Sequence, residues 1–374
     1  MRCWTIPLRL PRRALLGLAI CILVAGPTTT GAAPALRVSG ERPPVALPED
    51  SSPQSIAPAQ ATRVRLGELG ILGGAGYYLA IENGYFAEQG LEVEPTRFTT
   101  GGEMTSPLAA GQLDVGAGGI TAGLFNAIAR GLNLRIVSDH GHSAPGRPVS
   151  ALVLRRDLVD TGQVHTAADL RGRRIAIPST TVAAMTDVRA YVAEGGLTLS
   201  DVRVDELPFP DMLPALANGS IDAAAPVEPF ITFMGQRGLG VVWRWDYDVN
   251  PDHQIGVIIY APAFSSDRPE VAQRWMVAYL RGLRYFNDGF VRGDAAARER
   301  AVEVLMKWTA IQDRSLYDTM TIIGLDPDGG LRVPSMRADQ EFFVQQGYQD
   351  RPIDLDAAVD LQYVQYARQV LGPY

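Results

Sequence analysis

The side chains best suited to bind a small molecule lie in short polar loops that follow predicted β-strands. A serine or threonine at the start of a helix leaves free backbone N–H groups and the positive end of the helix dipole facing the loop. Glycines in such loops let the backbone approach a ligand closely. Each position could instead be a plain helix cap without a ligand, and the sequence leaves the two alternatives level. The candidates are Gly73, Gly74, Tyr77, Thr100, Gly101, Gly119, Thr121, Ser179, Thr180 and Thr181.

Glu228 is a candidate of a different kind, because it stands between two prolines, Pro226 and Pro229, in the loop after a predicted strand. A carboxylate fixed there could accept a hydrogen bond from a ligand. It could equally be a first-turn carboxylate that the helix dipole favours. Both roles stay open on the sequence.

His140 and His142 flank a single glycine. On one side of an extended strand, two imidazoles at this spacing could form part of a metal site. Two imidazoles alone are a weak metal signal, and their position at a predicted domain crossing favours a pocket or hinge role for His140. We therefore predict neither a metal nor a cofactor.

Motifs of catalysis are weak in this chain. Gly74 and Gly76 follow a predicted strand as in a dinucleotide-binding loop, but Leu79 stands where the third glycine belongs. No Gly-x-Ser-x-Gly elbow occurs. We predict a binding protein that is not an enzyme. The alternative is an exported enzyme that uses Glu228 or His140 as its general base.

The first 35 residues have the pattern of a secretory signal peptide. Arginines precede an apolar run from Ala14 to Ala25, and small residues follow it. That run is shorter than the ~20 apolar residues of a membrane-spanning helix. The pair Arg12-Arg13 fits a twin-arginine signal as well as a Sec signal, so we predict export to the periplasm by one of these routes. Residues 36–62, rich in proline, serine and alanine, predict a flexible linker.

Composition narrows the function further. Both cysteines, Cys3 and Cys21, lie in the predicted signal peptide, so the exported chain would hold neither a disulfide nor a thiolate nucleophile. The formal net charge is −7, and loss of a signal with four arginines and no acid would leave about −11. Binding to nucleic acid needs clustered lysine and arginine, which argues against nucleic acid as a partner.

Alternation of strand and helix predicts an α/β fold. A single core stops growing at roughly 250–300 residues, so a chain of 374 residues predicts two lobes. The segment Leu108–Val115 has a second copy at Leu216–Ala223, and each copy ends a helix at a glycine and begins a strand with an aspartate. Helices dominate the last third, including one predicted over 355–371. We expect two lobes, each a mostly parallel sheet flanked by helices, with a ligand cleft between them. Their predicted bounds are 63–147 with 251–374, and 148–250.

The segment Ala80–Val93 resembles the A-x-x-x-G-Y-F-x-x-x-G-L-x-V segment of periplasmic solute-binding proteins of the nitrate, sulfonate, taurine and thiamine-pyrimidine type. Three later blocks, Thr99–Gly116, Leu170–Pro178 and Ala225–Phe230, resemble further parts of the same proteins. The resemblance implies a hinged receptor that closes on a small ligand. It also implies delivery by a monomer to the permease and ATPase of an ABC importer.

The resemblance also implies which residues contact the ligand. Some relatives with this fold are enzymes, and those use cysteine, which the predicted exported chain lacks. The loops differ from those of inorganic-anion receptors in one respect, since they hold no basic residue. We therefore expect an organic ligand at least as strongly as nitrate or sulfate. A sensory domain is a third alternative. The positions carried over are Gly73, Gly74, Tyr77, Gly119, Thr121, Ser179, Thr180 and Glu228.

Overall fold

The computed structural model describes residues 61–374, which form two five-stranded sheets. The predicted signal peptide and all but the last two residues of the predicted linker lie outside the described residues. No helix in the described range is long and apolar enough to cross a bilayer. The strands are β1 (Thr62–Glu68), β2 (Leu91–Arg97), β3 (Val115–Gly119), β4 (Arg135–His142), β5 (Ala151–Arg155), β6 (Arg174–Ile177), β7 (Arg203–Glu206), β8 (Ala223–Ala224), β9 (Gly240–Trp245) and β10 (Gln254–Tyr260).

The two sheets share one topology. The first has the order β2-β1-β3-β10-β4 and the second the order β7-β6-β8-β5-β9. In the first sheet only β10 runs against its neighbours, and in the second only β5 does. Each of these two strands is the first one that the chain forms after it crosses from the other sheet. The predicted class, two α/β lobes with mostly parallel sheets, is confirmed.

Sixteen α-helices flank the sheets in the described residues, and the last seven form a tail after β10. The helices are α1 (Ala75–Glu82), α2 (Tyr85–Glu88), α3 (Thr105–Ala109), α4 (Ala122–Ala129), α5 (Arg156–Asp160), α6 (Ala184–Ala193), α7 (Phe209–Ala217), α8 (Phe230–Gln236), α9 (Asp246–Val249), α10 (Pro262–Asp267), α11 (Pro269–Phe290), α12 (Ala295–Trp308), α13 (Leu316–Thr319), α14 (Val333–Gln345), α15 (Leu355–Ala358) and α16 (Gln362–Leu371).

The tail packs on the first lobe. Helix α11 lies against α1, α14 contacts α4 and β10, and α16 contacts β4. The single helix predicted over 355–371 is wrong, because the chain leaves the helix to pair with β4. Val359 bridges to Ile136, and the backbone N–H of Asp360 donates to the Ile136 carbonyl at 2.8 Å.

The sequence repeat has a structural role in both lobes. Gly111 and Gly219 end their helices in the left-handed region, with φ of 68° and 74°. The aspartate three residues later precedes the next strand, and its side chain bonds to the backbone of the neighbouring strand in the sheet. Asp114 Oδ2 accepts from the Arg65 N–H of β1 at 2.9 Å, and Asp222 Oδ2 accepts from the Arg174 N–H of β6 at 2.9 Å.

Two segments, 143–150 and 246–253, carry the chain between the sheets, and Asp246 joins them. Its carboxylate accepts hydrogen bonds from the Val149 and Ser150 N–H groups and from the Ser143 hydroxyl, each at 2.9 Å. Burial and the nearby charge of Asp187 raise the pKa of Asp246 to about 7. The predicted lobe boundaries at 147/148 and 250/251 stay a prediction.

His253 forms a second link at the crossing. Its Nδ1 lies 3.0 Å from Asp187 Oδ1 on α6, and its Nε2 lies 3.0 Å from Asp339 Oδ1 on α14. All three side chains are buried. Burial alone lowers the pKa of His253, but the charges of Asp187 and Asp339 outweigh it and raise the pKa well above its ordinary value. An imidazolium therefore connects the second lobe to the tail of the first. We call Asp187, Asp246, His253 and Asp339 the hinge cluster.

Candidate ligand-binding site

A cavity of about 190 Å³ lies between the two sheets. Its walls come from the loops after β1, β2, β6 and β8, from the start of α7, from the ends of β3 and β4, and from the crossing segment 143–150. Parallel strands of α/β sheets present their ligand sites at these carboxyl ends. Both lobes therefore contribute to one site, as the expected cleft requires.

Nine of the twelve predicted site residues line this cavity, and the ligand role of all twelve stays a prediction. The structure does not bring Gly74, Tyr77 or Thr180 to the wall. Thr180 points to Glu206, whose Oε1 accepts from its N–H at 2.6 Å and its hydroxyl at 2.7 Å. The lining members of the set are Gly73, Thr100, Gly101, Gly119, Thr121, His140, Ser179, Thr181 and Glu228.

Tyr77 and Gly74 lie behind the wall. Tyr77 is fully buried, and its ring stacks on that of His140 with 5.6 Å between centroids. A Cβ added at Gly74 would come within 2.6 Å of the Tyr77 hydroxyl and closer still to the Tyr78 ring. Gly74 therefore serves close packing beneath α1, and Tyr77 supports the imidazole that does reach the cavity.

Glu228 reaches the cavity while it also caps a helix. Its Oε2 accepts from the Thr232 N–H at 3.1 Å and its Oε1 from the Thr232 hydroxyl at 3.0 Å, both in the first turn of α8. Burial raises the pKa of Glu228 to about 7, and the bonds from Thr232 offset part of that effect. A carboxylate has about four acceptor positions, and the Thr321 backbone also contributes a hydrogen bond, so at least one position remains for a ligand. Glu228 therefore fills the helix-start role that the sequence left open, and it borders the cavity, where its ligand role stays a prediction.

His140 is the second titratable group of the cavity. It is only 3% exposed, and neither ring nitrogen has a hydrogen-bond partner among the described residues. Burial lowers its pKa to about 4, so the ring is neutral near pH 7 and offers one donor and one acceptor. His142 makes a different contact, since its Nδ1 lies 3.1 Å from Asp139 Oδ2. Within residues 61–374 no group of three or more potential ligands could hold a metal ion.

The lobes meet directly at the edge of the cavity. The Ala122 N–H donates to the Thr181 carbonyl at 2.8 Å, and the Ala183 N–H donates to the Ile120 carbonyl at 2.9 Å. Thr121 and Val182 thus pair as one antiparallel step. We call residues 120–122 and 181–183 the cleft lip. The sequence predicts Thr121 and Thr181 as helix starts whose free N–H groups face a ligand, whereas the main chain around them joins the lobes.

Part of the wall comes from residues that the loop pattern does not select. Val149 and Ser150 belong to a crossing segment, Ile255 is the second residue of β10, and Ile323 belongs to the tail after α13. The first three lie in or near the segments where the sequence pattern indicates a lobe crossing. Ile323 has no such signal, because its place depends on how the tail folds back.

Replacement of Glu228 by glutamine is expected to stabilise the protein at alkaline pH. The folded-state pKa, about 7, exceeds the ordinary value of 4.5, so stability is lost as the pH rises through 7. E228Q should exceed the unaltered protein by about 2–3 kcal/mol at pH 8.5 and by less than about 1 kcal/mol at pH 5. Urea denaturation at both pH values measures this difference.

Glu206 gives the matched control for that experiment. Hydrogen bonds from Thr180 lower the pKa of Glu206, so E206Q should lose stability at pH 8.5 where E228Q gains it. Equal stability of E228Q and the unaltered protein at pH 8.5 would mean that Glu228 is solvated in the folded state.

Comparison with known proteins places the chain in a described family. The sequence model of the NMT1-like family matches residues 57–306. The nitrate import ATP-binding protein NrtC of Synechococcus elongatus is 28% identical over 269 residues, which cover 68% of this chain. The chain spans only 38% of the length of that protein. A binding protein of Brucella abortus strain 2308 is 25% identical over 265 residues, covering 70% of this chain and 76% of its own length.

Solved structures share the fold. The periplasmic nitrate-binding protein NrtA of Synechocystis PCC 6803 has a TM-score of 0.67 at 16% identity, covering 84% of this chain and 90% of its own. The alkanesulfonate-binding protein SsuA of Xanthomonas axonopodis pv. citri, bound to MOPS, has a TM-score of 0.64 at 16% identity, covering 81% and 99%. The desulfurization enzyme DSZB has a TM-score of 0.58 at 13% identity, covering 83% and 99%. At such low sequence identity, the likeness to these structures shows the fold and nothing more.

Proposed function

Since the chain belongs to the NMT1-like family, we propose that it is an extracytoplasmic solute receptor that binds a small ligand between its two lobes. The observation that carries this proposal is the cavity of about 190 Å³ whose walls come from both lobes. Ligand sites of this kind are concave and mostly apolar, with a few convergent polar groups. Glu228, His140 and several hydroxyls supply such groups here.

Hinged closure is the physical basis of the proposed activity. A ligand that contacts both walls is bound best when the lobes are together, so it shifts the protein toward the closed form. The cleft lip and the hinge cluster lie at the two places where the lobes meet. Binding therefore changes the surface that the paired lobes present to a membrane partner.

The proposed partners are the permease and ATPase of an ABC importer, with the receptor acting as a periplasmic monomer. Two observations support this assignment. One relative is named a nitrate import ATP-binding protein, and two proteins of the same fold are named an alkanesulfonate-binding protein and a periplasmic nitrate-binding protein. The ligands in those names belong to those proteins.

An enzyme remains the second candidate, because a carboxyl group with a pKa of about 7 would suit a general base. The fold also occurs in a desulfurization enzyme. Residues 61–374 hold no cysteine, so any nucleophile in this part of the chain would have to be another group. A binding receptor returns its ligand unchanged, whereas an enzyme yields a product.

A ligand should stabilise the protein only while no added side chain fills the cavity. The protein purified from its native compartment is analysed by mass spectrometry for a bound solute, and that solute is tested by thermal shift and for turnover. At 100 times Kd the ligand should add about 2.7 kcal/mol to the free energy of unfolding. Gly119→Leu should abolish the effect, because Gly119 lines the cavity and a Cβ there meets only the Ile255 carbonyl, at 3.6 Å.

The matched control is Gly235→Leu, since Gly235 is exposed on α8 and a Cβ there meets nothing within 4 Å. This variant should keep the full ligand effect. A solute that stabilises G119L as strongly as G235L would contradict binding in this cavity. Formation of product that stops in E228Q would favour the enzyme instead.

A further inference from the structure

The cavity wall has an unusual balance of charge for a receptor of oxyanions. Its titratable groups are the carboxyl of Glu228 and the neutral imidazole of His140. Within the described part of the chain, no lysine or arginine lines it. The other polar side chains are hydroxyls, those of Thr100, Thr121, Ser150, Ser179 and Thr181.

An oxyanion would be poorly served by these groups. A buried anion is stabilised by an opposite charge or by several hydrogen bonds aimed at it. Here it would share a desolvated cavity with the Glu228 carboxyl, and no described cation of the wall would offset the repulsion. An acceptor position that Glu228 leaves free requires a hydrogen-bond donor on the ligand instead.

The remaining wall is apolar, and it determines the size and the apolar character of the ligand. The volume, about 190 Å³, is slightly larger than the ~150 Å³ of an apolar cavity known to hold benzene. A nitrate or sulfate ion would leave most of the apolar surface uncovered, whereas a single ring would cover it. The apolar members include Leu72, Ile120, Val182, Phe209, Val227 and Ile323.

We propose that the ligand is an uncharged or positively charged organic molecule with a body of about one ring, whose N–H group donates to Glu228. His140 completes the recognition, since its unpaired nitrogens can accept from one ligand group and donate to another. This inference rests on the proposed function of the same cavity. It assigns Glu228 as the residue that selects ligands by charge.

Ring compounds of similar size and different charge test the assignment. Benzamidine, benzamide, benzoate and benzenesulfonate are titrated by calorimetry and ligand-observed NMR at pH 8, where Glu228 is ionised. We expect benzamidine and benzamide to bind at least about tenfold more tightly than the two anions. In E228Q, benzamidine should lose about tenfold in affinity while benzamide changes less than about threefold. E270Q, which removes an exposed carboxylate of α11 outside the cavity, should change neither.

Each outcome decides one of the two proposals. Binding that is lost in G119L but is tighter for benzoate or benzenesulfonate than for benzamidine would overturn the ligand class and leave the receptor standing. The same holds if the solute that co-purifies with the protein is an anion. If no probe and no co-purified solute binds in a way that G119L abolishes, the receptor proposal itself fails, and the ligand class fails with it. E228Q keeps the shape of the side chain, and circular dichroism checks that it folds.

Discussion

Replacement of His253 by alanine is expected to lower the free energy of unfolding by about 4 kcal/mol, because it leaves two buried carboxylates without their shared cation. Asp187 and Asp339 are each 1% exposed, and both bond to the His253 ring. They belong to different lobes, so their repulsion would also weaken the connection between the lobes. Urea denaturation at pH 7 measures the loss.

A second substitution tests the cause of that loss. Asp339→Asn in the H253A background removes one of the uncompensated charges and should restore about 1–2 kcal/mol. His165→Ala is the control, since His165 is exposed in the second lobe and its loss should change stability by less than about 0.5 kcal/mol. A loss below about 1 kcal/mol in H253A would show that the buried imidazolium is not a support of the fold.

Replacement of Gly282 by alanine is expected to destabilise the protein by about 3 kcal/mol or more, although alanine favours helix over glycine by about 1 kcal/mol. Gly282 lies in the middle of α11, where this helix crosses α1. A Cβ there would stand 1.8 Å from the carbonyl oxygen of Gly76 and 2.8 Å from its carbon. Backbone cannot give way as a flexible side chain does, so the two helices would have to separate.

The same change should reach the cavity. Helix α1 begins at Ala75, two residues after the cavity-lining Gly73, so movement of the helix moves that wall. G282A should therefore weaken binding of a cavity ligand as well as lower the melting temperature. Gly235→Ala is the matched control, because a Cβ on that helical glycine meets nothing and should be neutral or slightly stabilising. Equal behaviour of the two variants would rule out the close helix contact.

Local patterns predict much of this fold because they have local causes. The left-handed glycines Gly111 and Gly219 end helices wherever they stand, and the aspartates after them begin strands. Gly84, with φ of 76°, divides α1 from α2 at an Asn-Gly pair, which is a turn signal in any sequence. The rule that ligands sit at the carboxyl ends of strands then selects most of the cavity wall.

Long-range contacts account for what the sequence does not reveal. The break at Val359 follows from pairing with Ile136, more than 200 positions earlier in the chain. Nothing near Tyr77 in the sequence indicates that His140 would lie between it and the cavity. Burial decides the properties of Glu228 and His140, and burial depends on elements far away. The residue types of a site can therefore be predicted better than their protonation.

The cleft lip has a consequence for how fast a bound molecule escapes. Its two hydrogen bonds join main-chain groups of residues 120–122 and 181–183, so they form whatever lies in the cavity. If the cavity is the ligand site and a ligand leaves only when the lobes separate, every ligand must wait for the same two bonds to break. Discrimination between ligands would arise from the cavity wall. The minimum time that a ligand stays bound would be the same for all ligands, because the lip bonds set it. In the proposed importer, a permease that pulls the lip apart would shorten that time without having to recognise the ligand.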